Sequence, residues 1–583
     1  MRRNDPNHRH LAVFGACWRV LAPVLFAPWL TTGCTAVAGS NAELAQPASA
    51  NDSGNGGKAQ TPAADASGSL AYAKDAGGGS YASAADAATS AGPSGAGDQS
   101  IGLKPGGAQD IGFFRLLLQQ GKLPKPGDMA MEGWLNEHDT VLPPAQKDRL
   151  VSLHALAAVI QPKGEPAQGV LQLGLNSAKK LADVQTSLSL TLVIDNSGSM
   201  SGEKLAFVKL GLHELADNLP KGTRLTIYTF SENAVLIWPA KIVAASDLPA
   251  LHGAIEAVQA TQGTNLYAGL EAGLADCEGV GAEFVQKRIM LLSDGAPTVG
   301  NTSEPAIIAL AGKSAAAGCS VSTVGVGLDF SPLLMTGIAQ QGQGTGWFLQ
   351  DATAAKTVFV QDLETLLVAV AQKLWLQFKP AAGWKVVEIY GFEWVETAGL
   401  VQITGPKKAP PQPGQPADPP PVTDPNAPQV AMPTLFASAR NGLVLARLVG
   451  PASTEPLQVQ NLDFAAMTYG YIGSKDQKAE QFTVPVVVPG LAAVPDGGLV
   501  YFADPGVRRA WLLMMDGQAL IAAVQLAADG KPAEAQGILA AALARHGDQV
   551  AAMQADLAVY DATAPDLEDA KGLLTKLAAL IAK

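Results

Sequence analysis

The chain is poor in charge, in basic excess, in histidine, in aromatic side chains and in cysteine. Of its 583 residues only 16% are Asp, Glu, Lys or Arg, and 52 acidic against 40 basic groups leave a formal net charge of −12. A nucleic-acid surface needs clustered Lys and Arg to neutralise phosphates, so this balance excludes nucleic acid as the general partner. None of the seven histidines has metal-ligand spacing or accompanies a convincing nucleophile, so zinc motifs and triads are missing. No strand–Gly-x-Ser-x-Gly–helix elbow occurs. The segment Ala311-Gly312-Lys313-Ser314 fails as a phosphate loop, because Ile307 stands where its first glycine belongs. Hydrolysis would lack a base, a nucleophile and a phosphate cradle, and the chain is read as a non-enzyme.

At the N-terminus, Arg2, Arg3, Arg9 and Arg19 precede or flank a short apolar stretch, Val20–Leu30, interrupted by Pro23 and Pro28 and followed by small residues. That order is a secretion signal, too short for a comfortable membrane span, so residues 1–33 are expected to be removed. Leu30-Thr31-Thr32-Gly33-Cys34 resembles a bacterial lipobox, which implies lipidation of Cys34 and a membrane anchor in the bacterial cell envelope. Thr31 departs from the usual Leu, and an ordinary signal with an incidental cysteine is the alternative. Thr35, rather than Asp, follows the cysteine, which by the enteric sorting pattern favours the outer membrane over the inner.

Four cysteines are then accounted for in pairs. Cys17 leaves with the signal and Cys34 carries lipid, leaving Cys277 and Cys319 in an oxidising compartment. Cys277 ends an expected helix and Cys319 begins an expected strand, so a disulfide and two separate buried thiols are both open.

Residues 34–108 are rich in Ala, Gly, Ser, Asp and Asn and offer almost no large apolar side chains. Such a segment cannot offset its chain entropy by burial and is expected to be a disordered tether. As a flexible coil its mean reach is roughly 45–50 Å. Residues 109–186 read as an N-terminal segment of helix plus strands, starting at Gly112–Leu118. Residues 187–372 alternate apolar strands with amphipathic helices, ending in an expected helix over 354–374. That alternation implies an α/β fold, a doubly wound and mostly parallel sheet. Residues 373–505 are β-rich, with a Pro-rich insertion at 405–433, and read as a β-sandwich completed by strands from 150–180. The α/β part would then be inserted in, or flanked by, the sandwich. Residues 506–583 are Ala- and Leu-rich and read as a helical hairpin broken at Gly530-Lys531-Pro532.

Three oxygen-rich loops carry the chemistry. Asp195-Asn196-Ser197-Gly198-Ser199 follows one apolar strand, Asp294 follows a second, and Thr264 precedes a helix. In open α/β sheets ligands bind beyond the carboxyl ends of strands, so all three loops can meet on one rim. Hydroxyls and carboxylates are hard ligands that suit Mg²⁺ or Mn²⁺. Val193–Met200, Gly263-Thr264-Asn265 and Leu292-Ser293-Asp294-Gly295 resemble the metal-ion-dependent adhesion site of a von Willebrand factor type A (VWA) domain. The resemblance implies direct coordination by Ser197 and Ser199, direct or water-mediated coordination by Thr264, and water-mediated roles for Asp195 and Asp294. It also implies a protein partner whose Asp or Glu completes the shell. With Arg115–Pro124 ahead of it and β-rich then helical regions behind, the chain is similar to a group of bacterial envelope lipoproteins. The function expected is metal-dependent protein binding, in adhesion or envelope assembly. The alternative is a non-adhesive, metal-stabilised scaffold.

Overall fold

The computed structural model describes residues 101–161, 166–327, 331–407, 428–451, 467–487, 492–493, 499–502, 505–560 and 565–583. The expected signal, Cys34, residues 34–100 of the tether and 408–427 of the Pro-rich insertion lie outside the described residues.

Four strands open the fold: β1 (Ile101–Pro105), β2 (Gly107–Ala108), β3 (Ser152–Gln161) and β4 (Gln168–Ser177). Next come β5 (Leu188–Asp195), β6 (Arg224–Phe230), β7 (Ala234–Ile242), β8 (Gln286–Ser293), β9 (Cys319–Val326) and β10 (Gln343–Leu349). These six, with β2, make one sheet in the order β2-β10-β9-β8-β5-β6-β7. Every pairing is parallel except β6 with β7.

Its strands are apolar on both sides because helices cover both faces. Val193, Ile289 and Leu291 pack with Leu270, Leu274, Leu310 and Ile338 from the helices Leu266–Glu278, Glu304–Ala316 and Pro332–Gln341. Leu190, Leu192 and Leu292 pack on the other side with Val208, Leu212, Leu251 and Ile255 from the helices Glu203–Asp217 and Leu248–Glu256.

The rest of the β structure is one branched network: β11 (Ala369–Phe378), β12 (Lys385–Ile389), β13 (Phe392–Thr397), β14 (Leu400–Pro406), β15 (Met432–Ser438), β16 (Gly442–Val449), β17 (Met467–Gly473) and β18 (Ala479–Val484) join β1, β3 and β4. Strands from both sides of the α/β segment thus share one sheet, and the α/β domain is an insertion. Side-chain alternation divides the faces of β3, β4 and β16 between two cores. Leu153, Leu173 and Val444 point into the β core, whereas Leu156, Val170 and Leu445 point at Trp134 and the C-terminal helices.

Those helices are Pro505–Ala528, Pro532–Tyr560 and Pro565–Ile581. Within the first, Gly506–Ala528 is long and apolar enough to cross a membrane, but 56% of its apolar window is buried inside the fold. Its Asp516 is fully buried and bonded to His546 Nδ1 at 2.6 Å, the arrangement of a core helix.

Four expectations are corrected. The tether does not run to residue 108, because Ile101 and Leu103 are buried in β1 and β2 extends the α/β sheet. The glycines that made this stretch look disordered are required there: a Cβ on Gly102 would lie 2.0 Å from the Arg440 carbonyl oxygen. The expected helix over 354–374 breaks at Leu367, and β11 starts at Ala369, so the α/β segment ends before residue 372. A short buried apolar run has no periodicity that separates strand from helix. Ordered strands reach inside the Pro-rich insertion at both ends, β14 to Pro406 and β15 from Met432. The C-terminal hairpin has a third helix, Pro565–Ile581, with Leu567, Ala570, Leu574 and Leu577 on its buried face.

Candidate metal centre

Parallel pairing brings the carboxyl ends of β5 and β8 together, with Ile194 opposite Leu292. Asp195 and the Ser293-Asp294 pair therefore leave the sheet side by side. The loops are stitched to one another in a ring. Ser293 Oγ donates to Asp195 Oδ2 at 2.6 Å, joining the first loop to the third. Thr261 N–H donates to the Asn196 carbonyl at 2.7 Å, joining the second to the first. Thr298 N–H donates to the Thr264 carbonyl at 3.0 Å, and Thr264 N–H donates to Thr298 Oγ1 at 2.9 Å, joining the third to the second.

Local chemistry sets each loop. Asp195 Oδ1 accepts the Ser197 N–H at 2.8 Å, an Asx turn that aims the serine back at the rim. Ser197 Oγ and Ser199 Oγ lie 3.0 Å apart. Asn265 caps the helix Leu266–Glu278 by accepting the Ala268 N–H at 3.2 Å, which fixes the turn holding Thr264. The φ of +80° at Gly263 suits only glycine in that turn.

Asp195, Ser197, Thr264 and Asp294 are all buried, and Ser199 is exposed. Burial pushes the Asp195 carboxyl up to about 6, against hydrogen bonds from Ser293 and Ser197, and the neighbouring Asp294 charge adds to the rise. Asp294 Oδ2 accepts from Lys204 Nζ at 3.0 Å, while Asp294 Oδ1 is buried with no hydrogen-bond partner among the described residues. Two carboxylates, one of them with an orphaned acceptor oxygen, and three hydroxyls on three joined loops are the donor types that fit a hard divalent cation. Such an ion would be held by Asp195, Ser197, Ser199, Thr264 and Asp294. It would act as a Lewis acid toward an anionic oxygen offered from outside.

Ser293, Thr298 and Lys204 are the supporting groups that sequence reasoning did not assign. Ser293 is adjacent to Asp294, and Lys204 sits in the first turn of the helix that follows the Asp195 loop, so both lie next to the motif in sequence. Thr298 has no local signal, because its partner is 34 residues away.

On the opposite edge of the sheet, Cys277 and Cys319 are joined in a disulfide with Cα atoms 6.2 Å apart. It ties the end of the Leu266–Glu278 helix to the start of β9.

The chain is 25% identical over 276 residues to the uncharacterised protein YfbK of Escherichia coli, covering 46% of this chain and 48% of that one. It is 29% identical over 179 residues to the uncharacterised protein sll0103 of Synechocystis, covering 31% and 41%. The chain thus spans about half the length, or less, of these curated relatives. A solved von Willebrand factor type A protein from Catenulispora acidiphila is similar at 15% identity with a TM-score of 0.42, covering 73% of this chain and 91% of that one. The family model for the von Willebrand factor type A domain matches residues 189–362, the same span that carries the parallel sheet and the three loops. Residues 189–362 of this chain are a von Willebrand factor type A domain.

Proposed function

We propose that the chain is a non-enzymatic binding protein that grips a protein partner through Mg²⁺, or Mn²⁺, held at the rim of its VWA domain. Asp195, Ser197, Ser199, Thr264 and Asp294 hold the ion, and an Asp or Glu of the partner supplies the remaining oxygen. The observation that carries this reading is the buried, unpartnered Oδ1 of Asp294 beside a ring of stitched loops. An acceptor oxygen withdrawn from water without a donor is costly, and a cation removes that cost. With few carboxylates around it, the ion stays electrophilic and favours an added carboxylate. Lipidation at Cys34 and a tether over residues 34–100 would hold the domain off a bacterial membrane, the outer one by the residue that follows the cysteine. Adhesion and envelope assembly both use such a device.

Mg²⁺ titrated calorimetrically into the full chain is expected to give one site that Asp195→Ala removes. Partner capture from the native envelope is expected in Mg²⁺ and lost in EDTA. Capture that persists in EDTA would overturn the adhesive reading. The scaffold reading draws support from the Lys204–Asp294 ion pair, which partly satisfies the rim without a ligand. It expects Mg²⁺ to raise the melting temperature with no effect on any partner.

A further inference from the structure

A second cluster lies on the helices behind the rim and is built from different chemistry. His213, on the helix Glu203–Asp217, and His252, on the helix Leu248–Glu256, meet with their Nδ1 atoms 2.6 Å apart. Their ring centroids are 4.8 Å apart, so the rings meet nearly end to end and their Nδ1 lone-pair directions converge. Each ring is anchored at its far nitrogen by a carboxylate. His213 Nε2 is 2.7 Å from Glu256 Oε1, and His252 Nε2 is 2.9 Å from Asp217 Oδ1. A carboxylate can only accept, so both Nε2 atoms carry hydrogen. That arrangement leaves the two Nδ1 atoms facing each other, where neutral rings turn bare lone pairs together. At 2.6 Å the two Nδ1 atoms need a proton or a metal ion between them.

We propose that His213 and His252 form a site for a borderline divalent transition metal of the Zn²⁺ class, distinct from the hard-cation rim. The carboxylate–histidine pairs supply the outer shell that such metals use to fix ring orientation and raise ligand basicity. Imidazole nitrogen, absent from the rim, selects Zn²⁺ over Mg²⁺. Zn–N bonds of about 2.0–2.1 Å in tetrahedral geometry set the nitrogens roughly 3.3 Å apart, so the rings need to part and to turn from their end-to-end arrangement toward the tetrahedral angle. Both side chains are partly solvent-exposed, at 24% and 28%, which leaves room for that motion and for water in the remaining positions. The local charge favours a cation: Asp217 and Glu256 are opposed by Lys209, whose Nζ lies 3.6 Å from Glu256 Oε2. The ion would clamp the helix that follows the Asp195 loop to the helix that leads into the Thr261–Thr264 loop. Spacing along the chain could not show this site, because the two histidines are 39 residues apart.

The test is Zn²⁺ titration, by calorimetry, of the full chain already saturated with Mg²⁺. Wild type is compared with His213→Ala, His252→Ala and Asp217→Asn, and circular dichroism reports folding of each. The proposal expects one Zn²⁺ equivalent in wild type that vanishes in either histidine variant. It expects roughly a 10–100-fold weaker site in Asp217→Asn, where the outer shell is altered. Mg²⁺ affinity stays unchanged in all three. Equal Zn²⁺ uptake by wild type and both histidine variants would overturn it, and would leave a shared proton as the cation between the rings.

Discussion

The α/β insert and the β-and-helix frame that surrounds it are stabilised in different ways. In the insert, apolar strands lie between two helical layers, and its ion pairs are local to it: Arg224 with Asp276 at 2.8 Å, and Lys204 with Asp294 at 3.0 Å at the rim. The frame buries charge. Arg115 makes a fork to Glu137, at 2.6 and 2.5 Å, and reaches Asp569 at 2.6 Å. Arg440 pairs with both oxygens of Asp362, at 3.0 and 2.8 Å. These two networks tie residues of the N-terminal segment, the last VWA turns, the β network and the final helix around a cavity of about 180 Å³ lined by Asp110, Arg115, Glu137, Asp362, Arg440 and Asp569. Apolar layers hold the insert, and its ion pairs close within it. Buried ion pairs give a frame that fixes how its parts meet, and that is sensitive to loss of any one partner.

The comparison breaks most sharply at Arg115. Arg115→Met leaves the buried Glu137 and the half-buried Asp569 without their cation and is expected to cost about 3–5 kcal/mol. Urea denaturation should show that loss, while Mg²⁺ affinity of the insert stays within twofold. An equal loss of Mg²⁺ binding would show that frame and insert are not separable in this way. Next is the insert's covalent tie. Replacing Cys277 and Cys319 with Ser should lower stability by about 2–4 kcal/mol, read from the same denaturation. The Arg115–Glu137–Asp569 network should be untouched by that change.

A smaller effect is expected at the rim. Lys204→Met removes the ammonium that sits on Asp294 and should tighten Mg²⁺ binding several-fold by calorimetry. Weaker binding would mean that Lys204 orders the loop rather than competing with the ion. A further effect is a slope against pH in the frame. Burial pushes Glu132 up to about 7, against a hydrogen bond from Gln340. The folded state then holds a proton that the unfolded chain releases near the usual glutamate value of 4.5. Stability from this group is full below that value and is lost as pH rises toward about 7. Glu132→Gln should therefore flatten the stability profile between those limits, measured as urea midpoints across the range.

Legibility followed the same division. In the insert, Leu188–Ile194, the helix from Glu203 and the strand ending at Ser293 could be read because period and length are local properties. The loops bearing Asp195, Thr264 and Asp294 were legible for the same reason, since each lies at the end of a recognisable element. In the frame, β1 was hidden in a glycine-rich stretch, because the need for Gly102 is set by Arg440 on a strand connection far along the chain. β11 was mistaken for helix because its apolar face is matched to β15 and β17, not to its own neighbours in sequence.

The sequence by itself determined the alternation of strand and helix, the five oxygen-bearing residues of the rim and the region of low apolar content ahead of the fold. Those follow from side-chain type and short-range order. Tertiary structure alone decided that strands on both sides of the insert share one sheet, that Cys277 and Cys319 are bonded, and that His213 faces His252. Each of these depends on where distant segments meet, and a contact across dozens of residues leaves no periodic trace in the chain that makes it.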